Sequence, residues 1–428
     1  MTAKKVVLIV VDGMTPAAFE RAAESGRAPA LAFLAAHGDY RRGISVFPSL
    51  TPVCLSSIVT GSGPDVHHIP HLVWWHRGER RIVEYGSSFS ALRAAGIAQS
   101  ITDTIYNMNQ RHLAPDATTV YETIEEEEGL VAAAVNITCY RGRTRYLPTL
   151  PWVTKAAYGP KRFFYYGLFE SDQTGAPFAV RSRAAGSTDA YAAAVGRWLV
   201  TRDGFDFLAY YLSDFDYSSH LHGPAGAEDV ALARTDAAVQ ALLDAAGGGE
   251  AFLDRYAVVL LSDHGQTTVD RIARLETALA RFADEIVVCA SNRAAQVYLL
   301  PGARADAEAV ARALDREPSV DVTLRLEGDD VVARHDGADG HPTGLDHPDA
   351  DRRARAALLN PNAGEVLVSA AEGWEFADLG GRHHSGGGSH GSLVAGDSTV
   401  PVLTIGVDAE IARITDVKPA ILAHLDGR

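Results

Sequence analysis

Cysteine is scarce in this chain: three in 428 residues, at Cys54, Cys139 and Cys289, far apart and odd in number. That argues against a disulfide framework and favours a reducing compartment, the cytoplasm. Positive charge is short as well, with 39 Lys and Arg against 54 Asp and Glu and a formal net charge of -15. A protein that wraps a polymeric nucleic acid needs clustered Lys and Arg, so no such partner is expected. A small phosphorylated substrate stays open if metal ions supply the positive charge. Long apolar runs are missing too. The N-terminal "MTAKK" leads at once into "VVLIVV" and Asp12, too short for a membrane span or for a signal-peptide core with its cleavage site. No membrane partner is expected, and oligomeric state is left open.

What is present is ordinary globular material, 47% hydrophobic and 22% charged. The length suits a large core with a smaller appendage. "KKVVLIVVDG" (4–13), "FDFLAYYLSD" (205–214) and "RYAVVLLSDHG" (255–265) are continuous apolar runs, the signature of strands buried on both faces of a parallel sheet. Helical patterns cover about 16–25, 29–37 and 227–246. "TPVCLSSIVTG" (51–61) reads as a short helix with Thr51 as N-cap, Pro52 inside and Gly61 past its end. "TVPVLTIG" (399–406) is a late strand and 414–425 a final helix. The alternation predicts an α/β fold with a mostly parallel central sheet flanked by helices. Between 286 and 370 the texture changes to short β-like segments around one helical stretch at 304–317. This predicts a smaller α+β insertion, with residues 1–285 and 371–428 forming the core. Residues 140–185, rich in aromatic and basic side chains, are a candidate cap.

Three of the apolar strands end in aspartate: Asp12, Asp214 with Asp216, and Asp263. Parallel strands deliver their C-terminal ends to one edge, where ligands bind. A single acid there is usually a turn former. Several converging carboxylates repel one another unless cations lie between them. Asp216 and His220 are four apart, on one face of a helical turn, and Asp263 and His264 are adjacent in a tight turn before Gly265. Oxygen and imidazole donors without thiolate suit zinc, and also manganese or iron. His390 lies in "SGGGSH", which by itself reads as a mobile linker. Thr51, at a helix start where anions are attracted, is a candidate nucleophile, with Ser49 its competitor.

These residues together resemble the alkaline phosphatase superfamily, most closely its type I phosphodiesterase/nucleotide pyrophosphatase branch. The matching stretches are "VVLIVVDGM", "FPSLTPVCLSSIVTG", "YYLSDFDYSSHLHGP", "LLSDHGQT" and "SHGSLVAGDSTVPVL", in the family's order from Val6 to Val402. The resemblance implies an alkaline-phosphatase-like fold and two zinc ions. Asp12, Thr51, Asp263 and His264 would match the ligands of one ion, and Asp216, His220 and His390 those of the other. Asp214 would stand behind the ligands. The implied activity is metal-dependent hydrolysis of phosphate esters. In the implied reaction Thr51 attacks phosphorus in line, and the resulting phosphoryl-threonine is then hydrolysed.

The chain departs from the family where nucleotide-hydrolysing members carry an asparagine that contacts a phosphate oxygen. Here the stretch reads "HHIPHLVWW", with Leu72 at about that place. His71, or an arginine at 141–145 such as Arg141 or Arg143, is a candidate replacement. The loss raises the alternative of a phosphomonoesterase, a phosphonate hydrolase or a phosphoryl-transferring relative on the same site. A sulfatase is not expected, because Cys54 is followed by "LSS". Met14, Trp74, Trp75 and Tyr106 are candidate pocket aromatics and apolars, although such residues more often belong to the core.

Overall fold

Val6 to Val11 have no solvent exposure at all. A run of that kind is satisfied only where a sheet is covered on both faces, and the computed structural model puts it there. The structure describes residues 3–127, 129–150, 154–172 and 187–426. Its main sheet contains β1 (Lys5–Val11), β2 (Asp39–Ile44), β3 (Ala132–Val135), β4 (Arg162–Tyr165), β5 (Phe169–Asp172), β6 (Phe207–Leu212), β7 (Tyr256–Leu261) and β8 (Thr399–Ile405). Their order is β2-β8-β7-β1-β6-β3-β4-β5. β7, β1, β6, β3 and β4 run parallel. β8 is antiparallel to β7 and β2, and β5 to β4. The central sheet is therefore mostly parallel, as the apolar runs imply.

Alternate residues of β1 feed two cores. Val6, Leu8 and Val10 pack with Val53 and Ile58 of the Thr51–Thr60 helix and with Ile421 near the C-terminus. Val7, Ile9 and Val11 pack on the opposite face with Val195 and Leu199 of Thr188–Thr201 and with Val239 and Leu242 of Leu232–Ala246.

Register fixes the site. Val11 pairs with Leu212 and Val10 with Leu261, so β1, β6 and β7 finish level and their following residues share one edge. After β6 the chain turns directly into the helix Asp214–Val230, which kinks at Gly223 (φ 76°) and Pro224. The Thr51 helix differs in detail from the sequence reading. Leu50, with extended backbone, is the N-cap, and Thr51 is the first helical residue. Its hydroxyl is not used as a cap. Gly61, at φ 66°, ends that helix in the left-handed conformation that glycine adopts without strain.

Residues 286–370 contribute a six-stranded antiparallel sheet, ordered Ile286–Ser291, Ala294–Leu299, Val366–Ala370, Val320–Glu327, Asp330–His335, Ala338–Gly340. Two helices accompany it, Ala307–Leu314 and Ala350–Leu358. The second escapes the sequence pattern because its buried stripe is mostly alanine among charged residues. Within 140–185, residues 162–172 build β4 and β5 at the far edge of the main sheet, and Thr144–Tyr146 pairs with Ala157–Gly159. Two parts of that candidate cap, 151–153 and 173–185, lie outside the described residues. No helix among the described residues is long and apolar enough to cross a membrane.

Candidate metal centre

Three imidazoles at the sheet edge are oriented in the same way. His264, which follows β7, donates Nδ1–H to the Gly265 carbonyl at 3.0 Å. His220 donates to the Gly388 carbonyl at 2.8 Å, and His390 to the Ser49 carbonyl at 2.8 Å. A carbonyl only accepts, so each ring carries its proton on Nδ1 and turns Nε2 inward. Backbone orientation of this kind is what metal-binding histidines ordinarily show.

The inward nitrogens meet carboxylates. Nε2 of His264 lies 3.2 Å from Asp12 Oδ1, 3.5 Å from Asp263 Oδ2 and 3.2 Å from the Thr51 hydroxyl. His220 Nε2 is 3.3 Å from Asp216 Oδ2, one helical turn apart, and His390 Nε2 is 3.9 Å from Asp216 Oδ1. Potential ligand atoms of Asp12, Asp263 and His264 fall within 4.8 Å of one another, as do those of Asp216, His264 and His390. Proximity thus joins His264 to both groups. Tyr211 donates its hydroxyl to Asp12 Oδ2, and the Gln266 amide donates to Asp216 Oδ1. The backbone amides of Gly13 and His264 both bond to Asp263 Oδ1, at 3.3 and 3.0 Å.

The protein by itself leaves this cluster unbalanced. Asp12 Oδ1 and Asp263 Oδ2 are buried with no hydrogen-bond partner. Burial, reinforced by the charges of Asp216 and Asp263, pushes the Asp12 carboxyl well above its usual range. Burial and the nearby Asp216 raise Asp263 to about 7. Against its own burial, Asp216 is held low by His220, His390 and His264. Burial likewise opposes charge on His220, yet the Asp216 carboxylate lifts it to about 9. Orphaned carboxylate oxygens, inward ring nitrogens and mutual repulsion fit divalent cations between these groups.

The cluster opens into a cleft of about 420 Å³ lined by Thr51, Leu72, Tyr85, Phe89, Asn292 and Arg382, among others. Thr51 reaches this space. Ser49 is fully buried, and its hydroxyl donates to the Ser392 carbonyl at 3.2 Å. Asp214 sits to one side, accepting from Ser187 and from both the amide and hydroxyl of Thr188.

Several sequence candidates are not brought to the cleft. His71 is buried beside the Val73 amide, which it accepts at 3.1 Å, and burial lowers its pKa to about 4. Arg141 is spent on Glu122 and on the carbonyls of Leu113, Ala114 and Ala117. Arg143 is exposed and pairs with Glu126 and Glu122. Closeness in sequence does not carry these three to the cleft. Met14 and Trp74 are core residues, and neither Trp75 nor Tyr106 lines the cleft.

Two cleft residues escaped the sequence reading. Asn292 is 6% exposed, adopts φ 56°, accepts from the Ser291 hydroxyl at 3.1 Å, and has its amide nitrogen 3.0 Å from His390 Nε2. A non-glycine residue held at positive φ is strained and often functional. Arg382 lies at the rim on a turn wound around Asp378, which accepts from the Gly380 and Arg382 amides at 2.8 Å. Its guanidinium has no partner among the described residues.

The family model for type I phosphodiesterase/nucleotide pyrophosphatase matches residues 6–393. The chain belongs to this family. No curated protein sequence matches it significantly. Among solved structures, phosphonoacetate hydrolase from Sinorhizobium meliloti 1021, in complex with phosphonoformate, has a TM-score of 0.65 at 19% identity, covering 99% of this chain and 96% of that one. Murine ectonucleotide pyrophosphatase/phosphodiesterase 5 has a TM-score of 0.63 at 15% identity, covering 99% and 95%. An inactive form of the murine protein, with one threonine changed to alanine and AMP bound, gives 0.63 at 14% over the same shares. These likenesses establish the alkaline-phosphatase-like fold. As a member of the type I phosphodiesterase family, this chain is an enzyme, a phosphoester hydrolase.

Proposed function

We propose that this type I phosphodiesterase family member hydrolyses small phosphodiesters or pyrophosphate-type bonds through Thr51 on a two-zinc centre. Asp12, Thr51, Asp263 and His264 would hold one ion, and Asp216, His220 and His390 the other, with manganese or iron also compatible with the donors. The observation that carries this reading is the pair of orphaned oxygens, Asp12 Oδ1 and Asp263 Oδ2, beside Thr51 and an inward-turned His264. When bound, the ions would lower the proton affinity of the threonine hydroxyl and offset charge on the transferring phosphoryl group.

The chain's own groups do the rest. The Thr51 oxygen attacks phosphorus as the leaving group departs in line, and water then cleaves the phosphoryl-threonine. Asn292 offers an amide N–H in the cleft, the kind of neutral donor that stabilises phosphoryl oxygens. Arg382 draws anionic substrates to the rim, and Leu72 and Phe89 meet their organic part. The inactivity of the murine protein's threonine-to-alanine form supports a nucleophilic threonine in this fold. Residues 1–285 and 371–428 are assigned the chemistry, and 286–370, through Asn292, the shaping of the cleft. Free, buried cysteines support a reducing compartment, the cytoplasm.

A second reading, a phosphomonoesterase, phosphonate hydrolase or transferring relative, is favoured by Leu72, an apolar side chain lining the cleft where the family's asparagine is expected. The two separate on the ratio of kcat/KM for a chromogenic diester and its matching monoester, with Thr51→Ala as control. A ratio well above one, abolished in the variant, supports the diesterase. A ratio below one moves the enzyme to monoesters or phosphonates.

A further inference from the structure

A second cavity, of about 360 Å³, shares no lining residue with the cleft. Its walls come from 44–46, from the loop at 61–66 after the Thr51 helix, from the helix Ala350–Leu358 and from 413–415. Four guanidiniums face it, Arg352, Arg353, Arg355 and Arg413, against two carboxylates, Asp65 and Asp349. Asp349 is already taken by Arg413 at 2.6 Å. In a chain of net charge -15, this excess of positive charge runs against the trend.

Arg353 is the unusual member. It is 4% exposed, and no carboxylate forms an ion pair with it among the described residues. Its terminal nitrogens donate to the carbonyls of Pro348, Leu393 and Val46 at 3.2 Å and of Ser392 at 3.5 Å. Its Nε is buried without a partner, and so is the Thr415 hydroxyl on the same cavity. Burial brings the Arg353 pKa down to about 10, against the pull of the nearby Asp397 and Asp349 carboxylates. A buried cation needs an opposite charge, and orphaned donors need acceptors. An oxyanion supplies both.

We propose that this cavity binds a small phosphate-type oxyanion, with Arg353 as its buried anchor and Arg352 and Arg355 as outer contacts. The guanidinium of Arg353 holds Val46, which leads into Ser49 and Thr51, and also Ser392 and Leu393, which follow His390. An anion drawn to Arg353 therefore bears on both segments at once. If the proposed reaction is correct, the enzyme's own phosphate product is of the right class to act here, away from the cleft; that regulatory sense rests on the proposed function, whereas the binding does not.

Equilibrium dialysis of the metal-loaded enzyme against inorganic phosphate tests it. The comparison is the Arg352→Glu/Arg355→Glu double variant, with Arg352→Lys/Arg355→Lys as the charge-keeping control. Wild type and the lysine form should bind two equivalents, one in each cavity. The glutamate form should lose one, its affinity falling at least about tenfold, the worth of a charge-assisted hydrogen bond, with kcat/KM in phosphate-free buffer unchanged. One equivalent that the double variant abolishes would still uphold this site, the cleft then discriminating against inorganic phosphate in favour of esters. A second equivalent indifferent to both variants, or only one equivalent that survives them, overturns the proposal.

Discussion

His264 and His390 lie ring against ring, with centroids 3.6 Å apart and planes within 8° of parallel. One follows a core strand. The other ends a glycine-rich loop that is no linker, since Gly388–Ser389 pairs with Thr267–Thr268 and His390 is 2% exposed. The glycines are needed for close approach. A Cβ on Gly387 would lie 2.1 Å from the His220 carbonyl oxygen, and one on Gly388 would lie 2.5 Å from Gln266 Oε1.

Gly387→Ala should therefore push the loop off the Asp214–Val230 helix and carry His390 away from Asp216. Overpacking of this kind costs about 1–3 kcal/mol. A lower thermal midpoint and reduced metal content are expected together. Unchanged metal content would show that the loop's position does not matter to the site.

Thr51→Ala should keep most of the bound metal, because the carboxylates and imidazoles remain, and should lower kcat by about a thousandfold or more. Steady-state turnover measured beside metal content separates the two effects. Near-normal turnover would transfer the role to Ser49 or to direct attack by water.

Asn292→Ala should lower kcat/KM by about a hundred- to a thousandfold, the scale of one lost transition-state donor. Metal content should stay unchanged, since every carboxylate and imidazole assigned to the centre remains in the variant. Equal activity in the variant would make Asn292 a purely structural turn residue.

Asp189 gives a stability signature away from the ligands. It is fully buried and accepts from the Ser213 and Asp214 amides at 2.9 and 3.1 Å and from the Thr235 hydroxyl at 2.9 Å. Burial, then the Asp214 charge, raises its pKa from 3.8 to about 7. The fold holds this proton more tightly than the unfolded chain does. Its stabilising share is complete below the unfolded value and is lost as pH rises through the folded one. Asp189→Asn cannot ionise, so its thermal midpoint should fall less than wild type between about pH 4 and 7. Parallel profiles would contradict this.

The strands were legible because a doubly covered parallel sheet demands continuous apolar runs, and β1, β6 and β7 are such runs. Asp12, Asp216, Asp263 and their histidines were legible as candidates because each follows such a strand within a few residues. What sequence hides is convergence from afar. Asn292 sits in a two-stranded turn with no local signal beyond Ser-Asn, and its place beside His390 is set by strand pairing across the chain. Arg141 and Arg143 illustrate the reverse, being near the expected segment in order and consumed by Glu122 in space. The cavity at Arg353 depends on carbonyls from three segments far apart in the chain, which no spacing encodes.

The most direct measurement is metal content per chain, by plasma mass spectrometry after exhaustive dialysis, for wild type, Asp263→Asn and His220→Ala. Two ions per chain are expected in wild type, with each variant losing metal and turnover together. Full turnover with no bound metal, or full metal content in both variants, would contradict the two-ion centre.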